Sequence, residues 1–372
     1  MTYNPTVLII DDSLLNLRIL EAIFAKEGFR ILKAESGSVG RALARTHSPD
    51  LILLDIVMPG ETGFETCAAL KADPATTDIP VIFITAIDDV EEKVKGFALG
   101  AVDYITKPFD RAEVLARVRL HIKLWAAHAS LVEEQSARLR QLREAQQAIL
   151  VRPEDCPAAR FAVYYKPFHE VGGDFYDVVK NGDYVFGYFV ADISGHNLGA
   201  SFSTSALKVL TGQNAGPLYT PEETMKMMNG VMSSVLPEGQ FLTACYAQLN
   251  RYRSSLTIVN AGHPPAIFVS CNGEAEIIRV SGDVMGVFPS ITFDVYERTV
   301  SKGDRFFLCT DGLIERFGYR KKTWREGIRA LTEACGETRG VPLEGAVRQI
   351  VDTLCPDGDT PDDDVVLLGV EV

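Results

Sequence analysis

Residues 51–60 read LILLDIVMPG: four apolar residues, an aspartate, and a turn marked by Pro59 and Gly60. A short unbroken apolar run bounded by turn residues predicts a strand buried on both faces, the way strands of parallel sheets read. Outward from it, TVLII (6–10), RILKA (30–34), VIFIT (81–85) and DYIT (103–106) are further strand candidates. Between them, LLNLRILEAIFAKEG and EEKVKGFALGA carry apolar residues at helical spacing. Strands alternating with helices over residues 6–110 predict βαβ units and a parallel α/β sheet covered on both faces. Ligands of such sheets sit beyond the carboxyl ends of the strands.

That rim collects chemistry. Asp11 and Asp12 follow the first strand, Asp55 ends the third, Thr85 ends the fourth, and Lys107 follows the fifth. Three carboxylates at one point repel unless a hard cation joins them, and oxygen ligands from Asp12, Asp55 and a backbone carbonyl suit Mg²⁺. With its charge neutralised, a carboxylate can attack a phosphoryl group, whose oxygens Lys107 and Thr85 would hold. Pro108 is a candidate cis peptide that would aim the lysine. An aspartate at a strand end more often caps a helix; five suitable groups at matching strand ends argue against that for the set.

The motifs LIIDDS, LILLDIVMPGETGFE, DIPVIFITA and GFALGAVDYITKPF resemble the receiver domains of two-component response regulators, over about residues 5–122. The resemblance implies a flavodoxin-like fold with a five-stranded parallel sheet. It implies phosphorylation of Asp55 by a partner histidine kinase, with Asp11 and Asp12 as the acidic pair. It assigns Thr85 as the switch hydroxyl, Tyr104 as the switch aromatic and Lys107 as the phosphate-facing lysine.

From Arg111 to Arg152 there is neither Gly nor Pro, and EEQSARLRQLREAQQAIL is built of strong helix formers. Two rows at seven-residue spacing, Trp125–Val132–Leu139–Gln146 and His128–Gln135–Leu142–Ile149, form a heptad seam with polar residues at several seam sites. Leu124 and Leu131 offer an alternative seam followed by a stutter. A coiled-coil linker over 123–152 is expected, joining two copies as a homodimer; a lone amphipathic helix packed on its own domains is the alternative.

From residue 153 the pattern changes to many short strands with turn signals and a few segregated helices, which predicts an α+β layered domain with antiparallel sheets. Its acids are spread widely. Asp174 lies in VGGDFYD, Asp192 in VADISGH, Asp311 in CTDGLIE, and Asp362, Asp363 and Asp364 in TPDDDVVLL. Gly172, Gly173 and Gly312 border them, where backbone could approach an ion closely. Carboxylates without Cys or His-x-x-x-His favour Mg²⁺ or Mn²⁺ over Zn²⁺, and two such ions can activate water against a phosphoryl group. One Asp-Gly is usually just a turn; four such places together are not.

EVGGDFYDVV, VADISGHNLGAS, NAGHPPAIF, CTDGLIE and DDDVVLLGVEV resemble the bacterial stress-response and sporulation branch of protein phosphatase 2C-like (PPM) serine phosphatases, over about 158–372. The resemblance implies an αββα sandwich and hydrolysis of phosphoserine or phosphothreonine with two Mn²⁺ or Mg²⁺ ions. It makes a phosphorylated anti-sigma-factor antagonist the usual substrate. Asp174, Asp192, Asp311 and the carbonyl of Ile193 match its metal ligands. The last ligand falls on Asp363, with Asp364 as the neighbouring choice, and Val366 stands where Thr is usual. His196 and His263 are expected to order loops more than to protonate a leaving group. Asn197 replaces a usual Gly, a substitution that a left-handed backbone tolerates.

A formal net charge of −13 argues against nucleic acid as partner. Seven scattered cysteines without Cys-x-x-Cys read as reduced thiols in a cytoplasmic protein. No apolar run approaches the ~20 residues of a membrane helix, and MTYNPTVLII runs into a strand, unlike a signal peptide. The expected whole is a response regulator whose output is a phosphatase; a degenerate phosphatase fold serving as a receiver-controlled adaptor is the alternative.

Overall fold

The computed structural model describes residues 4–86, 90–168, 171–195, 198–216, 218–315, 323–356 and 363–372. The chain divides into two compact units, Met1–Ser136 and Ala137–Val372.

In the first unit, β1 (Thr6–Ile10), β2 (Arg30–Ala34), β3 (Leu51–Asp55), β4 (Val81–Thr85) and β5 (Asp103–Thr106) pair in the order β2-β1-β3-β4-β5, all parallel. Every residue of β3 and β4 is buried, as expected of a strand covered on both faces. Two apolar clusters fill those faces. One gathers Val7, Ile9, Leu53 and Ile84 with Phe24 of α1 (Leu14–Phe24) and Val118 of α5 (Arg111–Ala148). The other gathers Leu8, Ile52, Leu54 and Phe83 with Ala44 of α2 (Gly37–His47) and Leu70 of α3 (Gly63–Ala72). A fourth helix, α4 (Val90–Ala98), lies between β4 and β5 in sequence. Local caps fix the helix starts: Ser13 accepts from the Asn16 N–H, and Thr62 with Glu65 makes a reciprocal capping box.

α5 runs unbroken for 38 residues, and its first part is tied to β5, where Asp103 accepts from Arg117 and contacts His121. Leu124 and Leu131 are exposed along it. Its far end behaves differently: Gln146 is buried, and Ile149 and Leu150, just beyond the helix, pack into the core of the second unit.

The second unit is a four-layer sandwich. One antiparallel sheet has the order β13-β10-β9-β8-β7, from β7 (Phe175–Lys180), β8 (Val185–Ile193), β9 (Leu242–Asn250), β10 (Ser255–Ala261) and β13 (Val295–Thr299). The other has the order β12-β11-β14-β15-β6, from β6 (Phe161–Lys166), β11 (Ala266–Val269), β12 (Ala275–Ile278), β14 (Arg305–Cys309) and β15 (Val365–Glu371). Two-residue alternation sends Phe306 and Leu308 to the core between the sheets and Phe307 and Cys309 to the core outside. Helices α8 (Trp324–Glu337) and α9 (Leu343–Leu354) close that outer core. Met225, Met228 and Met232 of α7 (Pro221–Val235), with Leu207 of α6 (Leu198–Asn214), cover the other sheet. Helices α8 and α9 are separated by a break that ends at Pro342, ahead of Leu343. The sequence reading singled out none of β7, β11 and β12: β7 follows closely on the Gly172–Gly173 pair, and β11 and β12 are four residues each, the first preceded by Pro264–Pro265.

Candidate functional site

At the rim of the parallel sheet, Asp11, Asp12 and Asp55 each bring a carboxylate oxygen within 4.8 Å of the others; among the described residues this is the trio that meets that distance. Asp11 and Asp55 are buried and Asp12 is exposed. The Lys107 ammonium stands between the buried two, 2.7 Å from Asp55 Oδ2 and 3.1 Å from Asp11 Oδ2. The Lys107–Pro108 peptide is cis, as the sequence reading anticipated. Asp11 also accepts from Asn16 Nδ2 and the Ser13 N–H. Burial holds the Asp55 carboxyl above the usual carboxylate range, the hydrogen bond from Lys107 pulling the other way. Thr85 is buried at the end of β4. Tyr104 points inward, its hydroxyl donating to the Lys93 carbonyl and its ring against Phe83 and Phe97. Gly96 leaves room for that hydroxyl, which any Cβ there would strike.

In the sandwich the acids converge from four chain segments. Asp174 precedes β7, Asp192 lies near the end of β8, Asp311 follows β14, and Asp363 and Asp364 precede β15. Burial and the neighbouring charges of Asp192, Asp364 and Asp311 hold Asp174 well above the usual range, a hydrogen bond with Thr310 opposing. Asp192 is pushed up to about 7, by burial and then by Asp311, Asp363 and Asp364. Asp174 Oδ2 is buried with no hydrogen-bond partner. Such clustering is costly without a cation.

Three glycines make the convergence possible. A Cβ on Gly172 would collide with the Asp364 carboxylate and one on Gly312 with the Asp364 backbone carbonyl; one on Gly173 would lie 2.6 Å from the Ile193 carbonyl oxygen. The described acids thus bring a backbone carbonyl, an unpartnered carboxylate oxygen and further carboxylates into one neighbourhood, hard-oxygen donors of the kind Mg²⁺ or Mn²⁺ takes, while no three of these described acids present ligand atoms within 4.8 Å of one another as the receiver trio does.

The two neighbouring candidates at the chain's end differ. Asp364 is buried; its Oδ1 accepts from Phe168 N (2.7 Å) and its Oδ2 from Gly173 N (2.7 Å) and Asp174 N (3.4 Å). Asp363 is half-buried, and its Oδ1 accepts from the Asp364 N–H. Val366 faces the core between the sheets, its N–H donating to Thr310 Oγ1.

His263 is buried, its Nδ1 2.8 Å from Thr243 Oγ1, and burial drives its pKa down to about 3, so the ring is neutral at pH 7. Asn260 ties the loop by accepting from the His263 N–H and donating to the His263 and Pro264 carbonyls. His196, Asn197 and Asp362 lie outside the described residues. The sequence reading gave no site role to Thr310, Thr243 or Gln146. The first adjoins Asp311 in its own motif, and the last stood out as a polar residue in a heptad row.

Among the described residues, no helix is long and apolar enough to cross a membrane. All seven cysteines are unpaired.

Residues 7–119 match the family model described as response regulator receiver domain. The chain is 44% identical over 115 residues to the DNA-binding dual master transcriptional regulator RpaA of Synechocystis, a match covering 31% of this chain and 48% of that regulator. The chain thus spans less than half of that relative. The SiaA-PP2C domain of Pseudomonas aeruginosa superposes with a TM-score of 0.58 at 21% identity, over 66% of this chain and 99% of that one. The RsbU and RsbW domains of a Mycobacterium tuberculosis protein superpose with a TM-score of 0.51 at 24% identity, over 57% and 59%. Those likenesses establish a PP2C-type fold. Residues 182–372 match the model described as Stage II sporulation protein E (SpoIIE). That is just over half of the chain, which therefore belongs to the SpoIIE family and carries a receiver domain ahead of its PP2C-type phosphatase domain.

Proposed function

We propose that this chain is a response regulator whose output is a metal-dependent protein serine/threonine phosphatase. A histidine kinase would phosphorylate Asp55, and the substrate would be a phosphorylated anti-sigma-factor antagonist. The observation that carries the reading is the unbalanced acid cluster of the sandwich: mutually repelling aspartates around an unpartnered buried Asp174 oxygen, in a cradle open only because Gly172, Gly173 and Gly312 lack side chains.

Asp174, Asp192, Asp311 and Asp363, with the Ile193 carbonyl, would hold two Mn²⁺ or Mg²⁺ ions. Asp192, whose carboxylate acts on Asp174 and feels Asp311, Asp363 and Asp364, would be a central ligand of that set. Bound there, the ions supply Lewis acidity and lower the pKa of water toward neutrality, the chemistry a phosphomonoester needs. Asp364, occupied by three backbone N–H groups, fixes the Gly173–Asp174 backbone and is a positioning group. His263, neutral and tied to Thr243, orders its loop and carries no imidazolium proton to give.

In the receiver, Asp11, Asp12 and Asp55 would hold Mg²⁺ beside Lys107, with Thr85 and Tyr104 as the switch pair. We assign 1–122 to the receiver, 123–152 to a coiled-coil linker and 153–372 to the phosphatase domain. The exposed Leu124 and Leu131, seven residues apart on α5, support a homodimer through that helix. We place the protein in the cytoplasm.

The test is turnover of p-nitrophenyl phosphate by the full chain with Mn²⁺, with and without beryllofluoride. Expected are metal-dependent turnover, a loss of more than about a hundredfold in Asp192→Asn, beyond the range of groups that merely orient ligands, and a beryllofluoride response that disappears in Asp55→Ala. No metal-dependent turnover in wild type would leave an adaptor instead of an enzyme.

A further inference from the structure

The buried Gln146, at the far end of α5, makes an unusual pair of hydrogen bonds. Its Nε2 donates to the Gly172 carbonyl at 2.7 Å, and its Oε1 accepts from the Gly172 N–H at 3.2 Å. One side-chain amide thus engages both polar groups of one backbone residue. The same Nε2 lies 3.5 Å from Thr204 Oγ1 on α6.

What Gly172 adjoins gives the clamp its interest. Gly172 lies against the Asp364 carboxylate, the next N–H, of Gly173, donates to Asp364, and Gly173 backs onto the Ile193 carbonyl. The next residue is Asp174, with its unpartnered buried oxygen. The three-residue segment is thus gripped on one side by Asp364 and Ile193 and on the other by Gln146. A buried amide in an otherwise apolar setting is costly unless both ends are satisfied. Leu or Ile would serve a heptad row better at this place. The polarity that breaks the row is used on the backbone beside the acid cluster.

We infer that Gln146 is a positioning residue through which the end of the linker helix sets metal affinity at the Asp174 end of the acid cluster. It touches no reacting atom; it acts by fixing the backbone from which Asp174 projects. The inference draws on the phosphatase reading only for its kinetic readout, since metal affinity tests it independently.

Gln146→Met keeps the length and most of the volume and removes both hydrogen bonds. In full-length protein carrying Asp55→Ala, which weakens the receiver's acid trio, Mn²⁺ binding is measured by titration calorimetry with and without Gln146→Met. The expected result is Mn²⁺ affinity lower by about tenfold, as for other groups that orient metal ligands, with circular dichroism unchanged. In an otherwise wild-type chain, kcat for p-nitrophenyl phosphate at fixed Mn²⁺ falls while KM stays within about twofold. Gln146→Glu keeps an acceptor for the Gly172 N–H; it should fall between the two, and it carries the test if Gln146→Met fails to fold. Wild-type Mn²⁺ affinity in the folded variant overturns the inference. Affinity that depends on Gln146 in a chain without turnover upholds it and overturns the phosphatase reading instead.

Discussion

The two acidic clusters of this chain hold similar groups and resolve their repulsion in opposite ways. In the receiver, Lys107 is inserted between Asp11 and Asp55, and Asn16 and the Ser13 N–H take up further Asp11 valences. The site is largely balanced from within, and an ion adds to a structure that already stands. In the sandwich, the groups acting most strongly on Asp174 and Asp192 after burial are other aspartates. That imbalance is affordable only where an external cation completes it. On the proposed function, the regulatory site that must exist in both states would carry its own counter-charge, and the catalytic site would leave the charge to its cofactor.

The contrast can be broken most sharply at Asp363 and Asp364. If Asp364 is a backbone anchor and Asp363 a ligand, the two Asn variants separate stability from activity. Asp363→Asn should lower Mn²⁺-dependent turnover more than about a hundredfold, above the range for second-shell groups, and barely move the urea midpoint. Asp364→Asn turns an NH₂ toward N–H donors of Phe168 or Gly173 and should cost about 2–4 kcal/mol, the range for stranding one or two buried donors. Urea unfolding and p-nitrophenyl phosphate turnover read both. A stable Asp364→Asn with lost turnover beside an active Asp363→Asn would exchange the roles.

Much of this was legible in sequence, for physical reasons. A strand buried on both faces has no polar alternation, so LILLD and VIFIT announced a parallel sheet, and the acids at their ends announced its rim. The sandwich acids were legible because each adjoins a strong strand or a glycine pair. What was not legible depends on distant partners. Asp363 and Asp364 are neighbours of one type, and the difference between them is made by Phe168, 196 residues from Asp364, and by Gly173. Gln146 looked like a flaw in a heptad because its partner, Gly172, lies 26 residues on, in a loop without periodicity.

A milder break removes the receiver's internal cation. Lys107→Met leaves Asp11 and Asp55 facing each other without it. Lys107 keeps 22% of its side-chain surface exposed, so solvent screens part of the loss. Metal-free protein should lose about 1–3 kcal/mol in the receiver transition, below the full penalty for breaking a buried pair, with Mg²⁺ recovering part of it. Urea unfolding in EDTA and in Mg²⁺ measures this. No loss in EDTA would mean that Lys107 does not balance the cluster.

The smallest effect sharpens the comparison most finely, through pH. Asp192 in the metal-free fold is pushed up to about 7, against the ordinary 3.8 of an unfolded aspartate. Between those values the native state holds a proton that the unfolded chain has released, so metal-free stability falls as pH rises, until the carboxyl ionises in both states. His263 pulls the other way: neutral in the fold down to about pH 3, it adds stability as pH rises through its unfolded value near 6.5, and stops adding about one pH unit above that. Above pH 6.5 that opposition fades and the acids outweigh it. The metal-free melting midpoint should drop by about 1–2 °C from pH 6.5 to 8, on the scale of about 2–4 °C per kcal/mol for a unit of this size. With Mn²⁺ the trend reverses, because ions bind the deprotonated acids. Asp192→Asn, inactive by the reading above, should then be the more stable protein at pH 7.5 without metal, with a flatter pH dependence. Thermal scans of both chains in EDTA and in Mn²⁺ decide it, and a wild-type metal-free midpoint that rises through this window would mean that the sandwich acids are balanced from within, as the receiver's are.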